Sequence, residues 1–157
     1  MFNGESFNWR ILAGLLVIFS IAAFFICGDI LEKRQKIFQE NEIREIKIGD
    51  NIFQAEIAAD PIRREQGLSN RKDLCGNCAM LFVFDKKSRY AFWMKEMNFN
   101  LDIIWIGGNE VVHIAKNVSR KKELEFIKPE READKVLEIN DGLADKLDIK
   151  IGDRVKF

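Results

Sequence analysis

The chain has 157 residues, balanced at 25 Lys+Arg against 25 Asp+Glu, with 47% apolar residues, a single His and three Cys. A net charge of zero removes the attraction on which non-specific nucleic-acid binding depends, so no nucleic-acid partner is expected. One His excludes a His-rich metal site within the chain, three Cys are too few for a disulfide scaffold, and the aromatic content with only two Pro excludes a disordered chain.

After a short tail (residues 1–10), the run Ile11–Gly28, ILAGLLVIFSIAAFFICG, carries no charge and lies between Arg10 and Asp29, with Trp9 at its leading edge. Crossing the hydrocarbon core takes about 17–20 apolar residues, and Trp suits the membrane interface. A run apolar on every face at the extreme N-terminus is not a core helix. A cleavable signal peptide is the nearer rival. Its best small-residue site, Ser20-Ile21-Ala22, falls inside the run, and Phe25-Ile26 before Cys27 does not suit lipoprotein processing. The reading is an uncleaved, single-pass transmembrane helix over 11–28, with the membrane as its partner. Residues 29–45 are charged, with sparse apolar positions, and read as a juxtamembrane linker. Their Lys33, Arg34, Lys36, Arg44 and Lys47 just beyond, taken alone, place the C-terminal side in the cytoplasm.

Residues 46–157 form the folded domain. Two alternating runs around Gly49-Asp50-Asn51 predict a hairpin, and Asp60-Pro61 opens a helix that Gly67 stops. Strand-like runs follow at Ala79–Phe84, Arg89–Lys95 and Leu101–Ile106. A Gly107-Gly108 turn leads into Glu110–Ala115, and a polar stretch Lys116–Pro129 precedes the strand KVLEI. A short helix, LADKLD, begins after Asp141-Gly142. Strands dominate and connections are short. The pattern predicts a mainly-β (α+β) domain, a β-sandwich or partly open barrel with two short helices, behind an N-terminal transmembrane helix.

The ordered motifs Arg64-x-x-Gly67-Leu68-x-x-Arg71, Met80–Phe84, Phe92–Lys95, Leu101–Ile106, VLEI and the terminal IGDRV resemble the DUF192 family over roughly Ile48 to Phe157. The resemblance implies a small, mainly-β bacterial or archaeal domain of uncharacterised role, often secreted or membrane-anchored. The chain departs from the family pattern at Ser69, where Met is usual, at Glu96-Met97, which replace Asn-Thr, and at Asn100, which replaces Pro.

Three groups of residues are candidates for chemistry. Cys75 and Cys78 can close a small disulfide, act as a redox pair, or supply half a zinc site. Zinc lacks further ligands, because only His113 remains outside the apolar run, and the motif leads into a strand rather than the helix N-terminus that activates a thiol. The disulfide is carried forward, with no metal. A disulfide belongs on an oxidising face. Together with the family's habit, it outweighs the charge count and places the domain outside the cytoplasm. The second candidate is Asp102 with His113. A two-residue turn at Gly107-Gly108 sets them opposite each other, the orienting half of a catalytic dyad or triad, while a three-residue turn breaks the pairing. The third is Trp93 and Lys95, which alternate to the face opposite Phe92 and Met94. With Arg64, Arg71 and Asp102 they could form a binding surface for a small anionic or saccharide-like ligand or a protein partner. P-loop, dinucleotide-binding, HExxH and GxSxG motifs are absent, and no cofactor is expected. The sequence therefore reads as a membrane-anchored, extracytoplasmic binding or accessory domain rather than an enzyme. The alternative is a hydrolase or lyase using Asp102 and His113.

Overall fold

The computed structural model describes residues 42–157 and, alone before them, Gly28. The span expected at 11–28, but for Gly28, and the linker up to residue 41 lie outside the described residues. Among the described residues no helix is long and apolar enough to cross a membrane.

Alternation of apolar and polar residues sets the first hairpin. Strand β1 (Ile43–Ile48) pairs antiparallel with β2 (Asn51–Ala58), joined at Gly49-Asp50 as expected. β1 starts at Ile43, so the strand takes over the end of the segment read as linker. Asp60 then caps helix α1 (Pro61–Gln66), its carboxylate accepting from the backbone N–H of Ile62 and Arg63 at 3.0 Å each, with Pro61 in the first turn. Gly67 ends the helix at φ +50°, where its missing side chain also clears the Phe82 ring, which a Cβ would meet at 3.4 Å.

α1 belongs to a crossover, because β3 (Cys78–Ser88) returns parallel to β2. A parallel neighbour cannot be reached by a hairpin, and residues 59–77 therefore travel over one face of the sheet. The remaining strands are antiparallel: β4 (Leu101–Gly107), β5 (Glu110–Val118) and β6 (Ala133–Asn140), with the one-turn helix α2 (Leu143–Lys146) and the short β7 (Val155–Lys156) after them. The sheet order is β5-β4-β6-β3-β2-β1-β7. Its two edges meet. Glu110 bridges Arg154, Val111 N–H donates to the Asp153 carbonyl at 3.0 Å, and Val155 N–H donates to that of Asn109 at 2.9 Å. The sheet thus curls into a half-barrel, which removes most of its exposed edge.

Period-two alternation sorts the buried side chains into two clusters. Ile46, Ile48, Phe53, Leu81, Ile104 and Leu137 fill one face together with Ala144 of α2. Met80, Phe82, Leu101, Ile103, Trp105 and Val136 fill the other, covered by Leu68 from the crossover and by Met94 and Met97. Arg89–Lys95, expected as a strand, joins no sheet. It is an extended segment laid over the second face, held by one bridge between Phe92 and Ile127. The alternation survives: Met94 is fully buried, Phe92 is half-buried, and Trp93 and Lys95 are exposed. The segment's apolar residues find partners in rings rather than in a ladder. Phe92 packs edge-on to Phe82 and Trp105, with centroids 4.9 and 5.9 Å apart.

Candidate functional site

The β4–β5 hairpin does not bring Asp102 and His113 together. The turn residues are Gly108 (φ +69°) and Asn109, and register shifts interrupt the ladder twice, so that His113 lies opposite Trp105. Trp105 and Asp102 are three residues apart and point to opposite faces. The two shifts, invisible to a count outward from the turn, defeat the expected pairing. Asp102 is fully buried, and both its oxygens are used: one accepts from Asn117 N–H at 2.7 Å, the other from Ala144 N–H at 2.8 Å. It caps α2, whose own N-cap is Gly142 and offers no side chain. Asp102 is therefore a buried cap in the fold, neither beside Trp93 nor part of a dyad.

Cys75 and Cys78 are bonded to each other, with Cα atoms 5.0 Å apart. The bridge closes the turn that delivers the crossover into β3. Asn140 of β6 holds that turn from the side, its amide donating to the carbonyls of Leu74 and Cys75 at 3.0 and 2.9 Å.

Of the remaining candidates, the structure gathers Arg64 and Trp93 around one cleft of about 230 Å³, with Lys95 on a neighbouring depression that Trp93 also borders. α1 and the turn after Gly67 make one wall, and the segment Tyr90–Trp93 makes the other. Phe82, Phe84 and Glu138 line the floor. The lip is sewn shut below Trp93 by bonds between the crossover and the second wall. Ser69 Oγ donates to the Lys95 carbonyl (2.9 Å), Asn70 N–H to that of Glu96 (2.9 Å), Asn70 Nδ2 to the Glu96 carboxylate (2.9 Å) and Asn98 Nδ2 to the Arg71 carbonyl (2.8 Å). Asn70 and Glu96 both take positive φ, +63° and +58°, and the second is a conformation that a Glu rarely adopts. Ser69 and Glu96, two of the departures from the family pattern, are thus neighbours in one seam at the cleft.

Trp93 is 41% exposed at the rim. Its ring stacks on Phe126 with centroids 5.5 Å apart, and the Lys95 ammonium lies 5.4 Å from its centroid. The two arginines are already engaged. Arg64 donates to the carbonyl of Val83 at 2.8 Å and to that of Ala59, and sits over the Phe84 ring. Arg71 forks onto Glu56, with Nη2 to Oε2 at 2.7 Å. That hydrogen-bonded carboxylate raises the Arg71 pKa above an ordinary arginine's, against the opposing effect of burial.

The residue that sequence reasoning missed is Glu138. It follows Leu137 in β6 and is only 4% exposed, in the row Glu56–Met80–Glu138–Ile103 that crosses four strands on the covered face. No described group donates a hydrogen bond to its carboxyl. Burial pushes its pKa up to about 8, opposed only by the field of Arg71. A charge inside the otherwise apolar run VLEI was the available signal, but an acidic residue in a strand ordinarily faces water. Among the described residues no group of three or more His, Cys, Asp and Glu is placed to hold a metal.

The described residues form a small, curled β half-barrel with an aromatic-lined cleft over a buried carboxyl. The chain belongs to the DUF192 family, described as Uncharacterized ACR, whose model matches residues 41–157. No curated protein matches the chain. Among solved structures it is similar to a protein of unknown function from Novosphingobium aromaticivorans DSM 12444, with 31% identity and a TM-score of 0.72 over 76% of this chain and 88% of the other. It is also similar to a protein provisionally assigned as a transcription regulator from Sinorhizobium meliloti 1021, with 26% identity and a TM-score of 0.70 over 74% of this chain and 94% of the other.

Proposed function

We propose that the chain is a membrane-anchored, extracytoplasmic accessory domain that binds a small ligand in the cleft between α1 and the segment Tyr90–Trp93. The observation that carries this reading is Glu138. Its carboxyl accepts from no donor among the described residues and opens onto the cleft, and carboxyls of displaced pKa that face a cleft collect where a ligand completes them. The aromatic walls supply the apolar surface from which ligand sites are commonly built. Arg64 shapes one wall, Trp93 guards the entrance and Lys95 lies beyond it, while Arg71 acts on the site through the field it exerts on Glu138. Asp102 keeps its structural task. The anchor is the uncharged run 11–28, and the Cys75–Cys78 bridge supports an oxidising compartment for the domain.

Two experiments test the two halves. A thermal-shift screen of metabolites on the full chain should yield ligands that stabilise the wild type but not Trp93→Ala. A screen in which every stabilising compound acts equally on both proteins removes the cleft from the proposal. For topology, Cys75 and Cys78 in intact, reduced cells should react with a membrane-impermeant thiol reagent. Protection until lysis places the domain in the cytoplasm, as the flanking charges alone would have it.

A further inference from the structure

We infer that the ligand of this cleft is a small, free organic ammonium, its positive nitrogen seated against the Glu138 carboxylate. The inference rests on the reading of the cleft as a ligand site and names the class of molecule it takes.

Glu56 and Glu138 stand in one row on the same face of the sheet, separated by Met80. Arg71 lies between their fields and commits both terminal nitrogens to Glu56. The hydrogen bonds of Arg71 thus go to Glu56, and the acid they leave out is the one that lines the cleft. On the strands flanking Glu138 its neighbours are Met80 and Ile103, which carry no charge. From α1, Arg64 is occupied by two carbonyls and a ring, and Glu65 adds a second negative charge to the lining. Lys95 and Glu96 border the neighbouring depression rather than this floor. The cleft thus offers an acid without a free cation to match it.

That arrangement discriminates between ligand classes. An anion would meet Glu65 and, among the lining residues, no cation but the already engaged Arg64, so the anionic ligand expected from Arg64 and Arg71 loses its binding groups. A metal ion would find no group of three or more His, Cys, Asp or Glu ligands among the described residues. An organic ammonium supplies the missing charge, and the rings of Phe82, Phe92 and Trp93 suit its alkyl groups, since aromatic faces attract cations. Two rings at this site already hold cations in the fold: Phe84 under Arg64 and Trp93 under Lys95. In the empty cleft a proton takes the place of the ammonium at neutral pH, because burial holds the Glu138 carboxyl at about 8. Binding an ammonium then moves that proton from Glu138 to the buffer.

Calorimetry on the full chain in maltoside micelles tests this with choline and its uncharged carbon isostere, 3,3-dimethylbutan-1-ol. Choline should bind at least about tenfold more tightly than the isostere. Its apparent heat at pH 7 should change between buffers of different ionisation enthalpy, which reports proton release. Glu138→Gln, near-identical in shape, should lose both the preference and the proton release while its circular dichroism is unchanged. Equal affinity for the two probes in the wild type, a choline preference that survives in Glu138→Gln, or no choline binding overturns the inference. Binding to phosphatidylcholine vesicles without binding of free choline overturns it as well. Trp93-dependent binding of a sugar or an acid in the metabolite screen, with choline inert, removes the ammonium and leaves the cleft standing.

Discussion

The two faces of the curled sheet are built to different rules. The inner face is almost wholly aliphatic, with Ile46, Ile48, Ile104, Ile106 and Leu137 closed off by the meeting of the sheet's edges and by α2. Its one charged group, Asp102, is satisfied twice by backbone N–H groups. The outer face carries methionines and aromatic rings and is roofed by two irregular segments, the crossover and residues 89–100. Its buried acid, Glu138, accepts from no donor among the described residues and faces the cleft. A face closed by hydrogen-bonded strands packs to completion, whereas a face roofed by loops leaves room for a cleft, and loops on a rigid scaffold are where binding groups collect. The contrast teaches where to look: the buried charge that the fold has provided for is structural, and the one it has not is the candidate.

The largest effect expected from breaking this comparison is on the rings that join the two layers. Trp105 is fully buried, touches Phe92, and donates its indole N–H to the Tyr90 carbonyl at 2.9 Å. Trp105→Ala should cost about 3–5 kcal/mol in urea unfolding, because it leaves both a cavity and an unpaired carbonyl under the roof. A loss below about 1 kcal/mol would mean that the roof segment is not packed on the sheet.

Next in size is the pH dependence attached to Glu138. An acid whose folded pKa lies above its unfolded value binds more protons in the folded state, so its contribution to stability falls as pH rises. The window runs from the ordinary Glu value of 4.5 to about 8, and the loss is complete above it. Across that window Glu138 should withdraw stability on the order of a few kcal/mol. Glu138→Gln should flatten this part of the stability curve and be the more stable protein at pH 9. Parallel curves for the two proteins would show that the carboxyl is solvated after all.

Local chemistry was readable from the sequence, and assembly was not. The Gly49-Asp50 turn, the Asp60-Pro61 cap and the Gly67 stop each depend on neighbours within a few residues, and each stands where the pattern placed it. The parity of Phe92–Lys95 was legible as well, even though its ladder was not, because alternation records which side is buried and not what the backbone bonds to. The one signal for Glu138, a charge inside the apolar run VLEI, does not reveal its burial, since the residues packed around it, among them Met80 and Ile103, lie far away in sequence. The Asp102–His113 pairing failed for the same reason: the register shifts of β4 and β5 answer to the closure of the sheet rather than to the turn between them.

A smaller effect belongs to the bridge. A Cys75–Cys78 link closes so short a loop that its removal by Cys75→Ser should cost about 1–2 kcal/mol by the loop-length relation. The bonds from Asn140 hold the same turn independently, so thermal melts should show a lowered but still cooperative transition. A loss of folding would mean that the bridge, and not Asn140, fixes the start of β3.

The smallest effect on stability should accompany the largest on binding. Trp93 is 41% exposed, and its contacts are Phe126, itself 62% exposed, and the Lys95 ammonium. Truncating an exposed ring stacked on another exposed ring removes little buried area, so Trp93→Ala should lower stability by about 1 kcal/mol or less. Lys95→Ala should stay within about 0.5 kcal/mol, since its ammonium is at the surface. Against Trp105→Ala, these variants separate an indole used for packing from an indole left for a ligand. If Trp93→Ala proves as damaging as Trp105→Ala, the rim of the cleft is part of the core. If it is silent in both melting and ligand binding, the entrance lies elsewhere. Only the combination of an intact fold with lost binding keeps Trp93 as the gate above Glu138.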